Sequence, residues 1–128
     1  MRWLVGMGGL VQIEFAGQQI DTVNPARWTS KYGSIVTSVY GAGTADGFNE
    51  KGVGMHLLYF IPADFGARDA TKGGLQAALW GQFVLDNAAS VEEALTLLDG
   101  VQPLMVDHEG IKATVHLAIE DATGDSAI

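Results

Sequence analysis

The chain contains no cysteine, and this absence removes several kinds of chemistry at once. Disulfide bridges, cysteine-type zinc sites and thiol catalysis by a residue of this chain are all excluded. The redox compartment stays undecided, because a missing cysteine does not distinguish a reducing from an oxidising environment.

Basic residues are also scarce, since seven Lys and Arg stand against fifteen Asp and Glu, a formal net charge of −8. This charge repels phosphate backbones and anionic membrane surfaces, so neither nucleic acid nor a membrane is an expected partner. No apolar run reaches the roughly 18 residues of a membrane helix. The opening segment 1–17 has the basic second residue of a signal peptide, but glycines interrupt its apolar core and no cleavage site follows. A glycine-bearing β-hairpin is therefore favoured there.

Apolar residues are plentiful, at 48% of the chain, and charged residues make up 17%. This balance predicts one globular domain over residues 1–128, or part of a larger one. Stretches of β-branched and aromatic residues predict strands at Trp3–Val5, Leu10–Phe15, Ser34–Tyr40, Val53–Ile61 and Ala113–Glu120.

The third and fourth predicted strands are separated by turn-forming residues, Asp46-Gly47 and then 49–52. This arrangement predicts an antiparallel pair. Along Val53–Ile61 both alternating sets of positions are largely apolar, so the strand is expected to be covered on both faces.

Two consecutive helices are predicted after these strands. Leu75–Ala88 carries no charge before Asp86 and has a wide apolar face. The second helix begins at Ser90, with Glu93 completing a capping box, and stops at Gly100. Strands, then two helices, then a strand favour an α+β fold with an antiparallel sheet.

Common site motifs are absent or incomplete. The glycines at 6–9 fail as a dinucleotide-binding loop, and no serine lies in a G-x-S-x-G elbow. His56 and His116 lie on predicted strands without metal-ligand spacing, so hydrogen-bonded histidines are favoured over a metal site. The polar residues of 46–51 are interpreted as a solvated hairpin tip rather than a catalytic group. Neither a metal nor a cofactor is expected.

Four sequence stretches nevertheless carry a family resemblance: WTSKYGSIV at 28–36, ADGFNEKGVG at 45–54, Leu58-Tyr59, and TVHLAIEDATGDSAI at 114–128. Together with the helix pair, they resemble the choloylglycine hydrolase family over residues 26–128. This family comprises penicillin V acylases and conjugated bile acid hydrolases, which are linear amide C–N hydrolases. The resemblance implies an N-terminal nucleophile (Ntn) hydrolase fold of four αββα layers with antiparallel sheets, here incomplete at both ends.

The resemblance also implies a mechanism and a site. Members of the family cleave a linear amide with an N-terminal cysteine, whose α-amine acts as base while backbone groups stabilise the oxyanion. Tyr59 matches the position whose backbone N–H is one oxyanion donor, and a tyrosine there favours a penicillin V acylase-like over a bile salt hydrolase-like enzyme. Tyr59, Tyr40 and Thr44 are the expected substrate contacts, the latter two because the family's loop at 39–45 lines the pocket.

The family's cysteine would lie upstream of the matched region and further site residues downstream. The chain is therefore expected to be an interior segment of an amidohydrolase acting on a small amide, inactive by itself. Two rival hypotheses are a catalytically inactive ligand-binding relative and a structural subunit of the same fold. The acyl group preferred, the compartment (cytoplasm or periplasm) and assembly into a homo-oligomer are left open.

Overall fold

The computed structural model describes residues 2–4, 23–39, 43–108 and 111–128. The predicted strand Leu10–Phe15 and residue Tyr40 lie outside these ranges. In chain order the elements are β1 (Arg2–Leu4), β2 (Ser34–Val39), β3 (Gly43–Asn49), β4 (Gly54–Tyr59), β5 (Gly73–Gln76), a 3₁₀ turn (Ala77–Leu79), α1 (Trp80–Asn87), α2 (Val91–Leu98), β6 (Val101–Leu104), β7 (Val106–His108), β8 (Ile111–Ala113), β9 (Val115–Glu120) and β10 (Ser126–Ala127). Neither α1 nor α2 is long and apolar enough to span a bilayer.

The main sheet has six strands in the order β1-β2-β3-β4-β9-β10, and every neighbouring pair is antiparallel. An α+β fold with an antiparallel sheet is thus confirmed. The expected direct pairing of β2 with β4 is wrong, because β3 lies between them. Asp46-Gly47 belongs to β3 rather than to a turn. A Cβ on Gly47 would lie 2.6 Å from the carbonyl oxygen of Ile35, so this glycine serves close strand packing.

The first predicted helix is shorter than its apolar pattern indicated. Gly73–Gln76 forms β5, which pairs in parallel with β6, and the α-helix begins only at Trp80. An apolar run can be buried equally well as strand or helix, and the parallel partner is remote in sequence. The separate pair β7–β8 is antiparallel.

The second helix begins where its capping box predicts. Ser90 Oγ accepts a hydrogen bond from the Glu93 amide at 3.1 Å, and the Glu93 carboxylate accepts one from the Ala89 amide at 2.8 Å. The helix covers Val91–Leu98, in agreement with the prediction. Both hydrogen bonds join residues within one turn, so they can form independently of what the helix packs against.

The core lies between α1, α2 and one face of the main sheet. Its buried members share that face or the facing sides of the helices: Val36, Val53, Met55, Val84, Leu85, Ala88, Val91, Ala94, Leu117 and Ile119. The opposite face of the sheet exposes large apolar side chains, with Phe48 56% exposed and Leu58 and Phe60 46% exposed each. The expectation that β4 is covered on both faces is therefore not met by the described residues.

Candidate functional site

The end of β4 places Tyr59 at the edge of the paired region of the sheet. The Phe60 amide donates to the Thr114 carbonyl on the β9 side at 2.9 Å. Consecutive residues of an antiparallel strand direct their N–H groups to opposite sides, so the N–H of Tyr59 is directed toward β3. Among the described residues, the β3–β4 pairs end at Asp46↔His56, three positions before Tyr59. The tyrosine side chain is 72% exposed.

Thr44 lies at the same end of the sheet, near the start of β3, but it is buried. A register irregularity in the β2–β3 pairing follows Thr37. The Thr44 hydroxyl donates to Gln82 Oε1 on α1 at 2.9 Å. This contact explains the burial of a polar residue beneath the sheet. Substrate contact by Thr44 stays a prediction, as does that by Tyr40 outside the described residues.

A chain of buried polar groups continues from Gln82 along α1. The Gln82 amide donates to Asp86 Oδ1 at 2.8 Å, and Trp28 Nε1 donates to Asp86 Oδ2 at 2.7 Å. Ser30 Oγ lies 3.1 Å from Asp86 Oδ1. A buried carboxylate requires such donors, and here they tie segment 26–31 to the helix. The only signal in the sequence was a single carboxylate in an otherwise uncharged helical stretch.

Asn49 is a second buried polar residue, 3% exposed. Its Nδ2 donates to the carbonyls of Leu85 and Ala88 at 2.9 and 2.8 Å, and its Oδ1 accepts from the amides of Lys51 and Val53. One side chain therefore clamps the β3–β4 hairpin to the C-terminal end of α1. The interpretation of 46–51 as a solvated tip is wrong for Asn49, although the neighbouring Glu50 and Lys51 are exposed.

His56 lies on the exposed sheet face between two carboxylates. Its Nδ1 is 2.6 Å from Asp46 Oδ2 on β3, and its Nε2 is 3.5 Å from Glu120 Oε1 on β9. The hydrogen bond with Asp46 is the main reason that the pKa of His56 is raised above its ordinary value; partial burial opposes the shift and Glu120 adds to it. The hydrogen-bonded histidine expected from the sequence agrees with this environment.

His116, on the same sheet face, packs edge-on against Phe60, with ring centroids 5.4 Å apart. Across the ranges that the structure describes, no three His, Asp or Glu side chains are grouped as metal ligands would be. The end of β4 therefore carries an exposed aromatic side chain and a backbone amide directed toward β3, and a histidine–carboxylate contact lies three residues earlier on the strand. A backbone N–H of this kind can donate to a negatively charged oxygen, but these groups include no nucleophile.

Comparison with known proteins assigns the chain to a family. Residues 11–128 match the model of the linear amide C–N hydrolases, choloylglycine hydrolase family. The chain belongs to the choloylglycine hydrolase family. The match begins upstream of residue 26, where the sequence resemblance was expected to start.

A curated relative, the penicillin V acylase of Pectobacterium atrosepticum, is 42% identical across 79% of this chain and 30% of its own length. The solved penicillin V acylase of Agrobacterium tumefaciens is similar over 97% of this chain and 35% of its own, with a TM-score of 0.73 and 35% identity. A variant of the conjugated bile acid hydrolase of Clostridium perfringens gives a TM-score of 0.64 and 30% identity over 85% of this chain and 35% of its own. The chain thus spans about a third of the length of these relatives.

Proposed function

We propose that this chain is a segment of an amidohydrolase that cleaves linear amide C–N bonds, with a penicillin V acylase-like rather than a bile salt hydrolase-like preference. The observation that carries the proposal is the 42% identity to a penicillin V acylase, joined to a tyrosine at the end of β4. The whole enzyme's substrate would be a small linear amide with an apolar acyl group.

In the proposed reaction a cysteine thiolate attacks the amide carbonyl carbon, and the carbonyl oxygen becomes an oxyanion. The α-amine of that cysteine first takes the thiol proton and then returns it to the leaving nitrogen as the C–N bond breaks. Water hydrolyses the resulting thioester and regenerates the thiol. Preorganised N–H donors lower the energy of each oxyanion, and we assign one of them to the backbone of Tyr59.

The thiol has to come from outside the 128 residues, because they contain no cysteine. The exposed apolar face of the main sheet also supports the proposal that this chain is a segment of a larger enzyme. Phe48, Leu58 and Phe60 would be covered by a second antiparallel sheet in the four-layer αββα arrangement, while α1 and α2 form the helical layer on the other side.

A chimera tests the proposal directly. Residues 26–128 of this chain replace the corresponding segment of the Agrobacterium penicillin V acylase, and hydrolysis of penicillin V and of a glycine-conjugated bile acid is measured. We expect turnover of penicillin V in preference to the bile acid conjugate. A folded chimera that retains the host cysteine and hydrolyses neither substrate would contradict the amidohydrolase assignment.

Two substitutions at Tyr59 separate backbone from side chain in that chimera. Tyr59→Phe keeps the N–H, and we expect kcat to stay within a few-fold. Tyr59→Pro removes the N–H that is directed toward β3, and we expect kcat to fall by about 10²–10³. If the two variants were equally active, the backbone N–H of Tyr59 would be excluded as an oxyanion donor.

The isolated 128-residue chain provides the complementary measurement. It should not hydrolyse penicillin V, and measurable turnover by the pure chain would show that its nucleophile is not an external thiol. The absence of cysteine also favours a second candidate, an inactive subunit that keeps the ligand pocket. Saturable binding of penicillin V by a chain whose chimera is inactive would support that alternative.

A further inference from the structure

Among the described residues, Asp46 and His56 form the β3–β4 pair that lies nearest to Tyr59. The two residues face each other across the strands, and their side chains meet at 2.6 Å. Within the part of the chain that the structure describes, no β3–β4 pair follows toward Tyr59. Tyr59 itself is paired with Val115 on β9, and Asp46–His56 is the β3–β4 pair nearest to it, so this pair bears on how closely the end of β4 approaches β3.

The same histidine is held from the opposite side by β9. Glu120 Oε1 is 3.5 Å from His56 Nε2, and the Glu120 side chain crosses over Gly54 to reach it. A Cβ on Gly54 would lie 3.1 Å from Glu120 Cγ, so the glycine leaves the space that this approach requires. One imidazole thus connects the three adjacent strands β3, β4 and β9.

Both charged groups that face His56 favour its protonated form. Asp46 faces it from β3 and Glu120 from β9, and both are carboxylates. His116 also lies on this face of β9, while Thr37, opposite Asp46 on β2, carries no charge. A protonated His56 is attracted by both outer strands, whereas a neutral one keeps at most a weaker hydrogen bond.

We propose that His56 is a positioning residue for the Tyr59 amide, and that its protonated form, bound to Asp46, holds the end of β4 against β3. The proposal rests on the assigned role of Tyr59, because the amide matters for catalysis only if it contacts the substrate oxyanion. His56 itself acts through the strand and does not touch the substrate.

The pH range follows from the direction of the pKa shift. Asp46 raises the pKa of His56 above its ordinary value of 6.5 in the folded protein. The stabilisation is therefore complete below about pH 6.5 and is lost as the pH rises through the higher folded-state pKa. Both carboxylates are exposed, so added salt should weaken the effect.

The test follows backbone amides by ¹H–¹⁵N NMR between about pH 5 and 9 in the 128-residue chain, together with the imidazole signals of His56. We expect the Tyr59 amide to titrate with the midpoint of His56, while a reference amide at Leu97 on α2 stays unchanged. Asp46→Asn should return the His56 midpoint toward its ordinary value and reduce the amplitude at Tyr59. Glu120→Gln should have a smaller effect, because its contact is longer.

A purely through-space effect of the ring charge gives a different result. Asp46→Asn would then shift the midpoint at Tyr59 without reducing its amplitude, and this outcome would overturn the proposal. A Tyr59 amide signal that does not change with pH, or an unperturbed His56 midpoint in the folded chain, would overturn it as well.

The chimera distinguishes this inference from the proposed function. We expect kcat of the chimera to decline as the pH rises through the folded-state pKa of His56, and His56→Gln to remove this decline. His56→Gln should also lower kcat by about tenfold, less than the loss of an oxyanion donor, with little change in KM. A folded but inactive chimera beside intact NMR coupling would reject the proposed function only. An active chimera whose His56→Gln variant matches its parent at every pH would reject the positioning role only.

Discussion

Met55 fills the space that a side chain on Gly81 would occupy. A Cβ at position 81 would lie 1.6 Å from Met55 Cε and 2.8 Å from its sulfur, and Met55 is completely buried. Helix α1 can therefore approach β4 this closely only because the helix has a glycine at that point. The contact sets the distance between the helical layer and the strand that carries Tyr59.

Gly81→Ala should lower the free energy of unfolding by about 1–3 kcal/mol, although alanine is the better helix former, because the fully buried Met55 would have to shift against its packed neighbours. Urea unfolding measures this loss. Gly33→Ala is the matched control and should change stability by less than about 0.5 kcal/mol, since no atom lies within 4 Å of its added Cβ. If Gly81→Ala costs the same in a Met55→Ala background, the overlap is not its cause.

Asn49→Asp should lower the free energy of unfolding by about 2–4 kcal/mol at neutral pH, because the carboxylate cannot donate to the carbonyls of Leu85 and Ala88. The loss should shrink at acidic pH, where a protonated carboxyl can again donate. Asn24→Asp is the control, since Asn24 also donates to two carbonyls but is exposed. Equal losses in the two variants would contradict a buried clamp at Asn49.

Ser90→Ala should destabilise the chain by about 1 kcal/mol, because the Glu93 amide loses its acceptor at the start of α2. The matched control is Thr96→Ala, which removes a hydroxyl bonded to the Glu92 carbonyl inside the same helix. That change should be close to neutral, since alanine has the higher helix propensity. Chemical denaturation of both variants checks the difference, and an unchanged Ser90→Ala would exclude the cap.

The exposed apolar face of the sheet predicts self-association of the isolated chain and binding of a hydrophobic dye. Phe48→Lys should reduce both, as measured by sedimentation and dye fluorescence. Leu95→Lys serves as the control, because Leu95 is similarly exposed, at 50%, but lies on α2 away from this face. A sharply melting, dye-silent monomer would instead indicate a complete domain.

Local signals were sufficient for some elements and insufficient for others. The ends of α2 were predictable because a capping serine, a glutamate three residues later and a glycine act within one or two turns. The start of α1 was not, since Leu75 belongs to a strand whose partner lies near residue 103. Strand β3 was missed because Asp46-Gly47 has turn chemistry, which its neighbours on either side override.

The candidate site shows the same division. Tyr59 is a candidate by resemblance alone, and the direction of its N–H depends on the register between β4 and β9. His56 and Asp46 are ten residues apart, and only the pairing of β3 with β4 brings their side chains to 2.6 Å. The burial of Asn49 depends on the position of α1, which the hairpin sequence does not specify.

By itself, the sequence determined the α+β class, the limits of α2, the acidic surface charge and the family resemblance. Each of these depends on composition or on residues close together along the chain. Only the tertiary structure decided which strands are neighbours, where the amide of Tyr59 is directed and which polar side chains are buried. These properties depend on strand register and layer packing, in which every element constrains the others.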